Sequence, residues 1–318
     1  MKKVLICGAS GFIGRNLFEH LSKRSDLDVY GTYLTKRFQE NAKLFRADLT
    51  NKEWARTVTR DIDFVINTAA VTDGSGAVAS DPDKYITDNI RINMNLIESA
   101  HTNYVSHFTF LSCSVVYPAN NAELVKEVDV DVNKIHPKYT GAKLVKLHGE
   151  DLCNFYASLG RTRYTVVRHS NVYGPYDKFD TARGHVFVAT VTKIMAAADN
   201  ETVTVWGEGR EKRDFLHVSD LVRFFELTLN DGNCYDVFNA GSGKALSVRE
   251  LVNKINSISG QNLPIRYEAS RSSIDTNIIL DTTKARETFG WQPRIDIDEG
   301  IRQTIDWYLK NKGERNGK

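Results

Sequence analysis

A tyrosine and a lysine four residues apart, in Tyr139-Thr140-Gly141-Ala142-Lys143, have the types and spacing to move a proton during oxidation or reduction at carbon. On a helix, positions four apart share one face. Carbonyl reduction needs hydride on carbon and a proton on oxygen, and alcohol oxidation needs the reverse. A phenol with its ordinary pKa of about 10 is a poor base at neutral pH, and a nearby ammonium favours the phenolate. Tyr-x-x-x-Lys also occurs by chance on many helices, so the pair needs company before it implies chemistry.

Gly8-Ala9-Ser10-Gly11-Phe12-Ile13-Gly14 follows an apolar strand and opens a helical pattern. A pyrophosphate needs bare backbone N–H groups at close range, and a helix N-terminus supplies donors and a favourable dipole. A Cβ would occupy the phosphate's space, which accounts for the glycines. The spacing is Gly-x-x-Gly-x-x-Gly, and its placement between strand and helix predicts a dinucleotide site formed by Gly8, Ser10, Gly11, Phe12, Ile13 and Gly14.

The next strand should show which dinucleotide binds. A carboxylate near its end would bond the ribose 2′-hydroxyl of NAD, whereas Lys or Arg would accommodate a 2′-phosphate. The chain reads Thr32-Tyr33-Leu34-Thr35-Lys36-Arg37, and Asp28 is at the wrong end of the strand. Lys36 and Arg37 therefore favour NADP(H), with NAD(H) the alternative if these cations are only a solvated loop. Asp48-Leu49 is expected to meet the adenine ring. Asn67-Thr68-Ala69-Ala70 places small residues, Thr68, Ala69 and Ala70, where a dinucleotide must approach closely.

The elements that position these groups follow from hydrophobic period. Strands are predicted at Val4–Cys7, Val29–Tyr33, Phe64–Asn67, Phe108–Ser112 and Tyr164–Arg168, separated by helical patterns at Gly14–Lys23, Asp88–His101 and Tyr139–Ser158. Alternating strands and helices imply an α/β fold: a Rossmann-like, doubly wound parallel sheet with a smaller C-terminal substrate-binding domain. Capping boxes are predicted at Thr50-x-x-Glu53 and Ser247-x-x-Glu250. Residues 1–170 plus about 214–244 are assigned to the cofactor domain, and about 171–213 plus 245–318 to the substrate domain. The polar stretch after Lys310 is expected to fray.

Composition excludes other classes. With 42 basic and 40 acidic residues in 318, no broad charge footprint marks the chain for nucleic acid or membrane. Cys7, Cys113, Cys153 and Cys234 show no metal-ligand spacing, so no metal is expected and the thiols should be free in a reducing compartment. The apolar run Val4-Leu5-Ile6-Cys7 is short for a signal peptide, and the expected location is cytoplasmic.

Taken in order, the glycine turn, Asn67-Thr68-Ala69-Ala70, Ser112-Cys113-Ser114-Val115-Val116-Tyr117 and Tyr139-x-x-x-Lys143 resemble the extended short-chain dehydrogenase/reductases. Asn171-Val172-Tyr173-Gly174-Pro175, Arg213-Asp214-Phe215-Leu216-His217-Val218 and Phe289-Gly290-Trp291-Gln292-Pro293 extend the match over almost the whole chain. Gly174–Asp180, Gly184-His185-Val186 and Val205-Trp206-Gly207-Glu208-Gly209 look most like the GDP-fucose synthase branch. That branch reduces a 4-keto sugar with NADPH after epimerising two neighbouring carbons. The resemblance implies that Tyr139 is the proton donor and that Lys143 binds ribose and lowers the tyrosine pKa. It also implies that Asn171, His185, Val186, Trp206, Arg213, Arg271 and Asp275 hold a nucleoside-diphosphate sugar. A planar guanidinium suits Arg213 to the diphosphate; an ion pair with Asp214 is its alternative.

Two positions depart from the branch. Its catalytic Ser or Thr falls on Cys113, a weaker hydrogen-bonding group, so the sugar oxygen could pass to Ser112 or Ser114. Strand alternation would put Ser112 and Ser114 on one face and Cys113 and Val115 on the other. The branch's epimerisation cysteine falls on Val115, while its acid partner, His185, is retained. Either epimerisation is lost or Cys113 has taken the base role from two residues upstream. A cysteine on an apolar strand is more often inert packing, so the sequence favours a 4-ketoreductase without epimerisation. The alternatives are a nucleotide-sugar 4-epimerase retaining NAD and a non-catalytic NAD(P)-sensing module. The resemblance also implies a homodimer built on a four-helix interface from the helices at Asp88–His101 and Tyr139–Ser158, for which Leu144, Leu147, Leu152 and Phe155 supply surplus apolar surface.

Overall fold

Lys2–Cys7 (β1) buries its last four residues in succession, as a strand covered on both faces must. The protein is described from a computed structural model over residues 1–72, 82–119, 124–181, 184–269 and 276–311. After β1 the strands are Leu27–Tyr33 (β2), Leu44–Arg46 (β3), Phe64–Asn67 (β4), His107–Cys113 (β5), Arg163–His169 (β6), Asn171–Tyr173 (β7), Val203–Trp206 (β8), Lys212–His217 (β9), Tyr235–Ala240 (β10), Ala245–Ser247 (β11) and Ile265–Glu268 (β12). The helices are Phe12–Leu21 (α1), Lys52–Val58 (α2), Pro82–Thr102 (α3), Thr140–Ser158 (α4), Val186–Ala196 (α5), Val218–Thr228 (α6), Val248–Ile258 (α7), Thr283–Phe289 (α8) and Ile297–Asn311 (α9).

The main sheet has the order β10-β6-β5-β4-β1-β2-β3 and every pairing in it is parallel. Alternation along β1 divides the core: Val4 and Ile6 pack with Leu17 and Phe18 of α1 and Leu221 and Phe225 of α6. Leu5 and Cys7 pack with Ile92 and Leu96 of α3 and Cys153 of α4 on the opposite face. Helices thus cover both faces, as the predicted doubly wound α/β fold requires. β10 returns to the main sheet beside β6, whereas β9 joins β7 and β11 in a separate three-stranded sheet. A second core, including Phe187 of α5, Phe215 of β9, Leu251 of α7 and Ile301 of α9, forms the smaller lobe.

Local details correct two expectations and bear out a third. Asn51, not Thr50, caps α2, its side chain accepting from Glu53 and Trp54 N–H; the Thr50 hydroxyl is committed to Asp48 at 2.7 Å. The Ser247/Glu250 capping box forms as predicted. β5 ends at Cys113, and Ser114–Val116 form a 3-10 turn, so strand alternation does not govern Ser114 or Val115.

Candidate active site

The order of the main sheet reverses between β1 and β4, and the glycine turn leaves β1 at that point, where doubly wound sheets open a crevice. Gly8 has φ +78, and a Cβ there would lie 2.7 Å from the Ala69 Cα. A Cβ on Gly14 would lie 2.2 Å from the Gly8 carbonyl oxygen and 2.8 Å from the Thr68 hydroxyl. Gly8 and Ala9 donate backbone N–H groups to the Thr32 hydroxyl and carbonyl. The Thr68 N–H and hydroxyl both bond the Cys7 carbonyl. The turn, β2 and the end of β4 therefore form one close-packed unit. Gly11 caps α1 with no side-chain cap bond, and Ser10 is exposed beside it. Phe12 and Ile13 pack their side chains against the core, leaving backbone to face a phosphate. The glycines let the turn pack this closely, and the backbone at the start of α1 is left without a side-chain cap, as a site for a dinucleotide's pyrophosphate requires.

At the end of β2 the two sequence-predicted cations separate. Lys36 is exposed, while Arg37 bonds Glu40 at 2.9 Å and the Asn41 carbonyl, folding back on its own loop. A third cation, Arg46, was not singled out from sequence. It is the register partner of Tyr33, and its Nε donates to the Leu34 carbonyl at 3.1 Å. Its exposed guanidinium therefore stands at the end of β2, the strand end that in doubly wound folds meets the adenosine ribose. Asp48 is exposed and accepts from the Thr50 N–H and hydroxyl. Leu49 is buried in the α2/α3 core, so its side chain does not face an adenine ring. Ala69 is half-buried and Ala70 exposed, as a wall of small residues.

Tyr139 closes a 3-10 turn at Pro137–Tyr139 and is the N-cap residue of α4; Lys143 lies in the first turn. The pair thus straddles the helix start, with both side chains half-buried. α4 packs against β5, β6 and the Ser114–Val116 turn, bringing the pair to the C-terminal edge of the sheet on which the glycine turn opens. Cys113 ends β5 at that edge, partly accessible, its thiol pKa pushed up by burial. Ser112 is displaced from this role. It is fully buried, and its hydroxyl donates to Glu150 at 2.5 Å, so it cannot also orient a sugar oxygen. Ser114 opens the 3-10 turn and is nearly buried.

The groups predicted to meet substrate spread along the smaller lobe. Asn171 on β7 donates to the Asp214 carbonyl at 3.1 Å. The Arg213 guanidinium bonds the Thr276 carbonyl at 2.5 Å and hydroxyl at 2.6 Å. Its expected alternative partner, Asp214, faces away: fully buried, it accepts from Ser242, Gly243 and Leu280 N–H groups. His185 is the N-cap residue of α5 without capping it through its side chain. Its ring is accessible yet crowded by neighbours, and that desolvation, with Lys178 adding, lowers its pKa. Val186 starts α5 and packs against the smaller core. Trp206 lines a cavity of about 630 Å³ together with Thr181 and Lys193. The Lys193 ammonium, which no motif flagged, lies 5.4 Å from the indole centroid. Arg271 and Asp275 lie outside the described residues.

Among the described residues no group of His, Cys, Asp and Glu side chains could hold a metal ion.

The model of the NAD dependent epimerase/dehydratase family matches residues 4–241. The chain is 28% identical to the GDP-L-fucose synthase of Escherichia coli K12, over 99% of each chain. It is 30% identical to a dTDP-4-dehydro-6-deoxy-D-allose reductase of a Streptomyces species, over 98% of this chain and 97% of the relative. Among solved structures, the UDP-glucose 4-epimerase of Thermotoga maritima with UDP-glucose superimposes with a TM-score of 0.85 at 25% identity, covering 98% and 99% of the two chains. The glycine cradle, the Tyr139/Lys143 pair and these matches along the chain lead to one assignment: it belongs to the NAD dependent epimerase/dehydratase family.

Proposed function

We propose that the chain is an NADPH-dependent 4-ketoreductase of a nucleoside-diphosphate-linked 4-keto-6-deoxy sugar, with GDP as the carrier. The observation that carries this reading is the position of Tyr139 and Lys143 at the head of α4, beside the end of β5 and on the sheet edge onto which the glycine cradle opens. Gly8, Gly11 and Gly14 would hold the pyrophosphate, and Lys36 and Arg46 the 2′-phosphate. The bound nicotinamide supplies hydride for the sugar carbon. Tyr139 would deliver the proton to the C4 oxygen, and Lys143, on the same side of the helix start, would hold the ribose. Asn171, His185 and Arg213 orient the sugar and its diphosphate. The relatives named for GDP-L-fucose synthesis and for dTDP-4-dehydro-6-deoxy-D-allose reduction support reduction at C4. Val115, standing where the resemblance expects an epimerisation cysteine, favours reduction alone.

A 4-epimerase retaining NAD is the second reading, favoured by the superposition on a UDP-glucose 4-epimerase. The large sheet with its flanking helices would carry the cofactor and the smaller lobe the nucleotide sugar. We further infer a cytoplasmic homodimer: Met94 of α3 and Leu144 and Phe155 of α4 are 42%, 51% and 58% exposed on adjoining helices. Leu147 and Leu152, by contrast, pack against the chain's own core clusters. No helix of the described residues is long and apolar enough to cross a membrane.

Melting in the presence of NADP, NAD, GDP, UDP, CDP and dTDP tests the reading. A ligand at 100 times its Kd adds about 2.7 kcal/mol of stability. NADP and GDP should raise the melting temperature most; stabilisation by NAD far above NADP would overturn the cofactor assignment.

A further inference from the structure

Lys146 lies one turn beyond Lys143 on the same side of α4, with Glu150 one turn further. Its ammonium donates to the Leu111 carbonyl at 2.7 Å and sits 5.5 Å from the Phe110 ring centroid. The side chain therefore runs along β5, whose last residue, Cys113, is two positions beyond Leu111. Cys113 and Lys146 are both partly accessible although protein surrounds them, which describes the floor of a cleft. Burial lowers the Lys146 pKa, and Cys113 and Glu150 act against that.

The groups facing the thiol come from two elements. From α4 come Lys146, which favours the thiolate, and Glu150, which opposes it. From β6 come Arg168, which favours the thiolate, and His169, the register partner of Cys113. Glu150 and Arg168 are committed to one another at 2.6 Å. The His169 Nδ1 lies 2.6 Å from the Ser170 carbonyl, so that nitrogen carries the proton. Burial lowers the pKa of His169 to about 4, keeping the ring neutral. Among the described residues, Arg168 near the thiol is thus held in its pair with Glu150, whereas the Lys146 ammonium is held on a neutral carbonyl.

We propose that Lys146 is a positioning residue that acts through Cys113: anchored on the Leu111 carbonyl, its ammonium polarises the thiol so that sulfur orients the C4 oxygen of the sugar. A thiol alone is a weak hydrogen-bonding group, and an adjacent cation strengthens it where a hydroxyl is expected. The inference rests on the reductase reading for its kinetic consequence, though not for the coupling itself.

The test reads the thiol directly in the full chain carrying Cys234→Ser. Cys7 and Cys153 are buried, which leaves Cys113 as the accessible thiol. Alkylation by iodoacetamide is followed against pH with and without Lys146→Met. Loss of the cation should move the midpoint up by about one pH unit and slow alkylation at neutral pH by roughly tenfold. Lys146→Arg should keep the parent profile, and Lys146→Gln replaces the methionine variant if the latter melts early. In turnover, Lys146→Met should lower kcat about tenfold with KM little changed, and should cost nothing further in a Cys113→Ser background. Superimposable alkylation profiles, or an equal kcat loss in both backgrounds, would overturn the proposal. A parent chain that reduces no keto sugar while the two profiles still differ retires the reductase reading and supports the coupling.

Discussion

Glu150 of α4 and Arg168 of β6 meet at 2.6 Å with both side chains almost fully buried. Glu150 also accepts from Ser112 of β5, and Arg168 donates to the Tyr117 hydroxyl and the Glu127 carbonyl. Tyr117 in turn donates to Asn239 of β10 at 2.6 Å. This network fixes α4 against three strands of the main sheet, two turns beyond Lys143. The geometry of the Tyr139/Lys143 pair is thereby tied to the core.

Removing one partner leaves an uncompensated buried charge. Arg168→Met should therefore cost about 3–5 kcal/mol, measurable by urea unfolding. Exchanging Glu150 and Arg168 together for apolar residues of similar volume should recover much of that loss. A single variant within about 0.5 kcal/mol of the parent would show that the pair does not anchor α4.

Cofactor choice should follow Lys36 and Arg46 and not Arg37, which is bound to Glu40 and the Asn41 carbonyl. Lys36→Ala or Arg46→Ala should weaken NADP binding by about tenfold, near 1.4 kcal/mol, and leave NAD binding unchanged. Arg37→Ala should have a smaller effect on both. Calorimetric titration of each variant with each dinucleotide measures this directly.

Acid should destabilise the fold through buried histidines. His107 and His217 are each 1% exposed, and burial lowers their pKa values to about 3 and about 4 from 6.5. Protonation would place an N–H on His107 Nδ1, a buried atom with no partner, and on His217 Nδ1, which could then no longer accept from the Ser219 N–H. The unfolded chain protonates near 6.5 while the folded chain does not, so stability is complete above that pH and falls towards pH 4. Each histidine should contribute a slope of up to about 1.4 kcal/mol per pH unit in this window. His217 also caps α6 through its Nδ1, a role asparagine can fill. His217→Asn should reduce the slope by one proton in urea unfolding measured from pH 7 to pH 4.

The parallel sheet, the glycine turn and the placing of Tyr139 and Lys143 at the head of one helix are legible in the sequence because each is signalled locally. Continuous apolar strands, glycines before a helix and a four-residue spacing survive any tertiary arrangement. What could not be read depends on neighbours distant in the chain. The 3-10 turn after Cys113 breaks the strand period, and Glu150, 38 residues beyond Ser112, claims that hydroxyl. Spacing makes Arg37 a candidate phosphate ligand, and its loop partners Glu40 and the Asn41 carbonyl are invisible to spacing. Lys146 and Arg46 belong to no motif and gain meaning only from the strand ends beside them. Asn51 took the cap because Asp48 had already engaged Thr50.

The most direct test of the central claim is cofactor stoichiometry, with the purified chain, a GDP-linked 4-keto-6-deoxy sugar and NADPH. The parent should oxidise one NADPH for each sugar reduced, and Tyr139→Phe should lower kcat by roughly 100- to 10,000-fold while the protein stays folded. Interconversion of sugars with no net loss of NADPH, or turnover untouched by Tyr139→Phe, would contradict the account.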